Sequence, residues 1–273
     1  MRDYGVAGQI GLEKTPELYI ENLCNVFDEV KRVLLPGGSL WVNIADSYGT
    51  GSGPGSRDGT KQKTVRGSSE WYEDSGKPAI KGLEKSLIGI PEMFVLEMKK
   101  RGWTRRNTII WWKRNSMPSS ADDRFTVDFE YFYFFTKNRD YYFEQQLEKS
   151  IYFEFDKRAI TGPSSGGKAV SGEYAINKGG AFRDDGMKNK RCVWDIPTNG
   201  FDGAHFATFP EALVVTPIKA CSKEGDLVCD PFGGSGTVGL LAKKLHRDYV
   251  LIDLNPDYIK IAEQRLRITQ PLL

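Results

Sequence analysis

Long apolar runs and paired cysteines are both missing from this sequence. No apolar stretch approaches the roughly 18 residues of a membrane span, and the amino terminus has no signal-peptide core. Four of the 273 residues are cysteine, and no two of them form a CxxC pair, which argues against a zinc ribbon and against a secreted disulfide framework. We therefore expect a soluble protein of a reducing cytoplasm, with no metal site.

A P-loop is missing too, although residues 229–237 (CDPFGGSGT) form a glycine-rich turn. The turn follows apolar residues that predict a buried strand, and its glycines allow the backbone to bend sharply and approach a ligand closely. Within residues 229–237 it lacks both the GxGxxG spacing of dinucleotide-binding folds and the Gly-Lys-Ser/Thr of a P-loop, so no group for binding phosphates is evident. By itself such a turn is also found as a plain strand-to-helix connection.

A second apolar run, at 249–254, ends in an acid. Asp253 lies near its carboxyl end, where ligands of open α/β sheets bind and where a carboxylate can accept hydrogen bonds from both hydroxyls of a ribose. The turn and Asp253 together predict a site for a cofactor that contains adenosine and no phosphate.

Helical periodicity and short apolar runs alternate along the chain. Helices are predicted at 16–34, 90–100, 211–220, 238–245 and 256–267, and strands at 39–45, 104–113, 129–137, 227–228 and 249–254. Residues 49–86 are rich in glycine, serine and charge and predict a mobile loop, while 138–192 show little regular pattern. This order indicates an α/β fold with a mainly parallel sheet.

Basic residues are concentrated in one segment, although the formal net charge is only +2. Between residues 157 and 191 there are eight basic side chains against three acidic ones. Such a segment suits contact with nucleic-acid phosphates, and a solvated basic loop is an equal alternative on charge alone.

Five segments, in their order along the chain, resemble the amino-directed DNA methyltransferases of restriction-modification systems and phages. They are 37–48, 112–120 with Arg124, 193–197, 205–218, and 230–237 with Asp253. The resemblance is to the permuted group, whose catalytic half precedes the cofactor half. It implies a Rossmann-like methyltransferase fold, with a catalytic half at 1–137, an inserted target-recognition region at 138–192 and a cofactor half at 193–273.

The resemblance also implies which residues form the sites. Those expected to bind S-adenosylmethionine are Asp230, Pro231, Phe232, Gly233, Gly234, Ser235, Gly236, Thr237 and Asp253, with His205, Phe206, Ala207, Thr208 and Phe209 at the methionine end. Those expected to bind DNA are Lys113, Arg124, Lys188, Lys190 and Arg191. Alternatively, His205 has a structural role and does not contact the cofactor. Each of the five cations could likewise be an ordinary surface charge that does not bind DNA.

The family's catalytic tetrapeptide, a Ser, Asp or Asn followed by Pro-Pro and an aromatic, is absent. No Pro-Pro pair occurs in the sequence. In members of the family the tetrapeptide is followed within a few residues by a segment similar to residues 2–13, and this sequence starts with Met1 at that junction. We therefore expect strands and catalytic groups upstream of Met1 to be lacking and activity to be low. Asp46 and Tyr48 are weak substitutes, and a cap explains Asp46 nearly as well.

The resemblance implies a prokaryotic or phage enzyme that methylates an exocyclic amine in double-stranded DNA. The similarity of residues 2–13 to members with a tetrapeptide that begins with Ser favours N4 of cytosine over N6 of adenine. A homodimer and a cognate restriction endonuclease would be compatible partners. The alternatives are a non-catalytic remnant that binds cofactor and DNA, and an RNA or small-molecule methyltransferase on the same fold.

Overall fold

The structure, a computed structural model, describes residues 5–49, 82–83, 85–119, 121–149, 186–198 and 209–270. Most of the predicted loop at 49–86 lies outside these residues. In chain order the elements are α1 (Pro16–Val33), β1 (Ser39–Ile44), α2 (Ile90–Lys100), β2 (Thr104–Trp112), β3 (Phe129–Thr136), β4 (Leu147–Lys149), β5 (Met187–Asn189), β6 (Val193–Asp195), α3 (Glu211–Cys221), β7 (Leu227–Asp230), α4 (Thr237–Lys244), β8 (Asp248–Leu251) and α5 (Pro256–Ile268). No helix among the described residues is long and apolar enough to cross a membrane.

The chain divides into two compact units. The larger comprises Met1–Phe143 and Val193–Leu273, and the smaller comprises Glu144–Cys192. The smaller unit falls inside the segment that the sequence set apart as irregular, and its described residues contain one antiparallel hairpin, β4 with β5. That hairpin was not predicted, because three-residue strands are too short for periodicity to reveal them.

The helix starts follow the local signals in the sequence. The hydroxyl of Thr15 accepts a hydrogen bond from the Leu18 N–H at 3.3 Å, and Pro16 occupies the first turn of α1, where its missing N–H costs nothing. Asn255 caps α5 in the same way by accepting from the Asp257 N–H at 2.9 Å. The predicted boundaries of α1, α2, α3 and α5 are therefore confirmed to within two residues.

The larger unit contains a four-stranded sheet in the order β1-β3-β2-β6. β3 runs antiparallel to β1 and β2, while β6 runs parallel to β2. The predicted neighbourhood of β2 and β3 is confirmed. β1, β2 and β6 therefore end at one edge of the sheet, which is mixed because β3 alone is reversed.

Apolar side chains cover both faces of this sheet. Alternate residues of β3 point to opposite faces, so Tyr133 and Phe135 join one apolar cluster while Phe132 and Phe134 join another. The first cluster is closed by α1 and α2, and the second by Leu213 of α3. This explains why six of the eight residues of β3 are aromatic.

The carboxyl-terminal part of the larger unit adds a parallel pair, β7 with β8, joined by α4. α3 packs against it through Val214 and Ile218, which share a cluster with Leu240, Leu241, Leu245 and Leu266. The prediction that both strands are buried is wrong. Leu227 is 64% exposed and Val250 42%, because within the described residues these strands pair only with each other and keep one open face.

Candidate cofactor-binding site

The glycine-rich turn joins the carboxyl end of β7 to the first turn of α4. Its backbone is left-handed at Gly234 (φ +50°) and at Gly236 (φ +82°), which favours glycine at both positions. The Gly236 N–H donates to the Gly233 carbonyl at 2.8 Å and closes the turn. The predicted strand, turn and helix are all present.

The glycines of the turn serve different purposes. A Cβ on Gly236 would lie 2.8 Å from that of Ala262 in α5, and one on Gly239 would lie 2.8 Å from the Leu251 side chain, so both glycines permit close packing. A Cβ on Gly234 would meet only the Phe232 carbonyl, at 3.8 Å, which leaves room for a ligand. Gly239, in the first turn of α4, completes a GxGxxG spacing over residues 234–239, with the last glycine in its packing role. The prediction that this spacing is lacking, made from residues 229–237 alone, is therefore wrong.

Asp253 lies two residues beyond the end of β8, against the turn. Its Oδ2 accepts the Gly234 N–H at 2.8 Å, and its Oδ1 accepts the Asn255 N–H at 2.8 Å. An ionised carboxylate offers about four acceptor positions, so two stay available for ligand hydroxyls. The structure therefore brings the predicted ribose acid and the predicted glycine turn together.

A second carboxylate, Asp230, ends β7 beside the first. Its Oδ1 accepts the Phe232 N–H at 2.9 Å. Burial raises the pKa of Asp230, the Phe232 hydrogen bond opposes that shift, and the negative charge of Asp253 adds to it. Two carboxylates at neighbouring strand ends favour a ligand that carries positive charge.

A cavity of about 470 Å³ opens beside the turn, a volume that suits a cofactor-sized ligand. Gly233, Gly234 and Asp253 contribute to its wall, and the other lining residues come from α4, β8 and α5: Lys243, Tyr249, Leu251, Ile259, Ala262, Glu263, Leu266 and Arg267. The remaining predicted residues of the turn do not line it. Ser235 and Thr237 are buried and hydrogen-bond to Arg265 of α5, a contact the sequence reasoning missed.

The predicted methionine-end segment is only partly described. His205, Phe206, Ala207 and Thr208 lie outside the described residues. Phe209 is described and packs against both the cluster of Trp111 and Leu213 and the cluster of Val214 and Leu240. Its side chain therefore contributes to both apolar clusters just before α3 begins.

Asp46 and Tyr48 follow β1 at the edge where β1, β2 and β6 end. The Asp46 carboxylate accepts from the backbone N–H groups of Gly89 (3.0 Å) and Ile90 (3.1 Å), which begin α2. It is the cap of that helix, since Gly89 has no side chain to offer. The Tyr48 ring stacks under the Arg124 guanidinium, 3.7 Å from the ring centre.

The predicted DNA-binding cations are divided between the units, and four of them have an acidic or aromatic neighbour: Lys113, Arg124, Lys188 and Arg191. In the larger unit Lys113 pairs with Glu130 and lies over the Trp111 ring. In the smaller unit the Glu148 carboxylate binds Arg191 at 2.6 Å and Lys188 at 3.7 Å. Burial would raise the pKa of Glu148, but its hydrogen bonds from Arg191 outweigh burial and hold that pKa below its ordinary value. The Lys190 N–H donates to the Gln146 carbonyl across the hairpin.

Comparison with known proteins gives concordant matches. A family model described as DNA methylase, for N6 and N4 methyltransferases, matches residues 3–264. The type II methyltransferase M.XycI of Xanthomonas campestris pv. cyanopsidis is 37% identical over 268 residues, which cover 98% of this chain and 77% of that relative. The type II methyltransferase M.SmaI of Serratia marcescens is 37% identical over 267 residues, with 97% and 80% covered.

Two solved structures share the fold. The PvuII cytosine-N4-specific DNA methyltransferase matches with a TM-score of 0.59 at 16% identity, over 92% of this chain and 71% of that chain. The M1.HpyAVI complex with S-adenosylmethionine matches with a TM-score of 0.52 at 16% identity, over 92% and 82%.

Proposed function

The chain belongs to the family of N6 and N4 DNA methylases, and from that premise we propose that it transfers a methyl group from S-adenosylmethionine to an exocyclic amine in duplex DNA. The observation that carries the cofactor assignment is the contact of Asp253 with Gly234 at the strand ends, beside a cavity of about 470 Å³. When bound, the cofactor supplies an activated methyl group on a sulfonium.

The residues present fit such a cofactor. Gly234 leaves open space at the turn, and Asp253 has acceptor positions for the two ribose hydroxyls. The carboxylates of Asp230 and Asp253 favour positive charge, which the cofactor carries on its ammonium and sulfonium groups. Residues 205–208, with Phe209, are our assignment for the methionine end.

For the base we favour N4 of cytosine over N6 of adenine. The support is the family resemblance of the segment at residues 2–13 and the similarity in fold to the N4-specific PvuII enzyme. The base must leave the helical stack for its amine to be reached, and its amine hydrogens need acceptors. We do not assign that task to Asp46, because its carboxylate is engaged at the start of α2.

For the DNA contacts we propose Lys113 and Arg124 in the larger unit, and Lys188, Lys190 and Arg191 in the smaller one. Their support is charge: duplex phosphates bind arginine and lysine, and the acidic partners at Glu130 and Glu148 can exchange for phosphate. We also propose that the protein forms a homodimer, that it has a cognate restriction endonuclease and that it works in the cytoplasm.

The test is cofactor titration of Asp253→Asn and Asp253→Ala by calorimetry. Losing charge-assisted hydrogen bonds to ribose costs on the order of 1.5–3 kcal/mol each, so Asp253→Ala should bind S-adenosylmethionine at least ten-fold more weakly. Asp257→Asn, an exposed acid four residues on that pairs with Lys260, is the matched control. Equal affinity of wild type and Asp253→Ala would reject the assignment of Asp253.

Transfer is tested separately with tritiated cofactor on mixed-sequence duplex DNA, followed by nucleoside analysis. We expect label in N4-methylcytosine. Label in N6-methyladenine would reverse our choice of base, while tight binding of cofactor and DNA without transfer would favour the non-catalytic remnant.

A further inference from the structure

Arg265, in the last turn of α5, contacts the glycine turn at the residue next to the one that Asp253 binds. Its Nη1 donates to the Ser235 carbonyl at 2.7 Å and to the Ser235 hydroxyl at 2.8 Å, and it lies 3.4 Å from the Thr237 hydroxyl. One guanidinium thus serves a main-chain carbonyl and two side chains of the turn.

These acceptors depend on Arg265 because they are sheltered from water. Ser235 is 5% exposed and Thr237 6%, which places both among the few buried polar side chains of the described residues. Burial lowers the pKa of Arg265, and the nearby Glu211 charge counteracts part of that shift. Placing a guanidinium there has a desolvation cost, which the hydrogen bonds to the turn help to offset.

The position of Ser235 gives these contacts a consequence for ligand binding. Ser235 stands between Gly234, which faces open space and Asp253, and Gly236, which is packed on Ala262. Arg265 fixes the orientation of the Ser235 carbonyl and so the path of the main chain on which Gly234 is presented. No local pattern predicts this contact, because the partners are 30 residues apart.

We propose that Arg265 is a positioning residue that holds the turn in its cofactor-binding conformation. This inference rests on the proposed function of the turn. It assigns Arg265 no contact with the cofactor and no step in methyl transfer. Its loss should therefore raise KM for S-adenosylmethionine while KM for DNA and kcat change little.

The first measurement needs no ligand. Hydrogen exchange of the backbone amides of residues 232–237 is compared in wild type, Arg265→Met, Arg265→Lys and the control Lys260→Met, an exposed cation on the same helix. We expect faster exchange at the turn in Arg265→Met, an intermediate rate in Arg265→Lys and no change in Lys260→Met. Unchanged exchange at the turn in Arg265→Met would overturn the inference.

The second measurement is cofactor affinity and steady-state kinetics. Arg265→Met should weaken S-adenosylmethionine binding about ten-fold or more, and guanidinium at millimolar concentration should restore Arg265→Ala in part. Ser235→Ala loses the hydroxyl contact with Arg265 but keeps the carbonyl contact, so it should weaken cofactor binding less than Arg265→Met. Because this change is small, it also tests the contact if Arg265→Met fails to fold.

The outcomes separate the two proposals. Wild type that fails to bind S-adenosylmethionine rejects the proposed cofactor site and leaves the exchange experiment to decide on Arg265. Wild type that binds, with Arg265→Met binding equally well, rejects the role of Arg265 alone. A fall in kcat with unchanged KM for the cofactor would also contradict a positioning role.

Discussion

Replacing Asp46 should cost stability rather than remove a catalytic group. Its carboxylate accepts the Gly89 N–H with both oxygens, at 3.0 and 3.1 Å, and the Ile90 N–H at 3.1 Å. Asp46→Ala leaves these donors at the start of α2 without a partner in a partly buried position. Losing a cap and orphaning its donors costs about 2–3 kcal/mol.

That cost corresponds to a melting temperature lowered by about 4–12 °C for a chain of this size. We would measure thermal melts by circular dichroism for wild type, Asp46→Ala, Asp46→Asn and the exposed control Asp140→Ala. Asp46→Asn keeps one acceptor oxygen and should lie between wild type and Asp46→Ala, while Asp140→Ala should match wild type. If Asp46→Ala melts like wild type yet loses methyl transfer, the carboxylate acts on substrate and our interpretation of it as a cap is wrong.

Three further changes test other parts of the structure. Gly236→Ala should destabilise by about 2–5 kcal/mol through backbone strain and collision with Ala262, and Gly225→Ala, with the same φ of +82° but nothing within 4 Å, measures the strain alone; equal losses would remove the packing role. Replacing 50–81 by a short Gly/Ser linker should leave the melting temperature within a few degrees, because the Gly49 N–H already donates to the Ser86 carbonyl at 2.8 Å across its ends, and a collapse of the fold would refute this. Replacing Lys188, Lys190 and Arg191 together by glutamine should flatten the salt dependence of duplex binding by up to about 0.9 log unit per lost phosphate contact. The control Lys99→Gln with Lys100→Gln, in the last turn of α2, should leave that salt dependence unchanged. An unchanged slope in the triple variant would show that DNA binds at another surface.

The sequence predicted what depends on neighbouring residues. The cap at Thr15, the apolar run of β3 and the turn before α4 are local patterns, and each is present where expected. The contact of Asp253 with Gly234 was also foreseeable, because carboxyl ends of adjacent parallel strands meet at one edge.

The remaining features depend on partners distant in sequence. Asp46 caps a helix that begins 44 residues later, and Arg265 binds a carbonyl 30 residues earlier, so no periodicity or spacing marks either contact. Burial of β7 and β8 was predicted from apolar composition alone, which cannot tell whether one face or both are covered.

The length of α5 is constrained by the turn that it supports. Asn255 fixes the start of the helix two residues after Asp253, and Arg265 follows ten residues later, about 15 Å along the axis. Inserting or deleting one residue between them would rotate Arg265 by about 100° and shift it about 1.5 Å along the axis. The number of residues between Asp253 and Arg265 is therefore fixed by the two contacts with the turn. Insertions and deletions among natural relatives should occur in the surface connections and not in this interval.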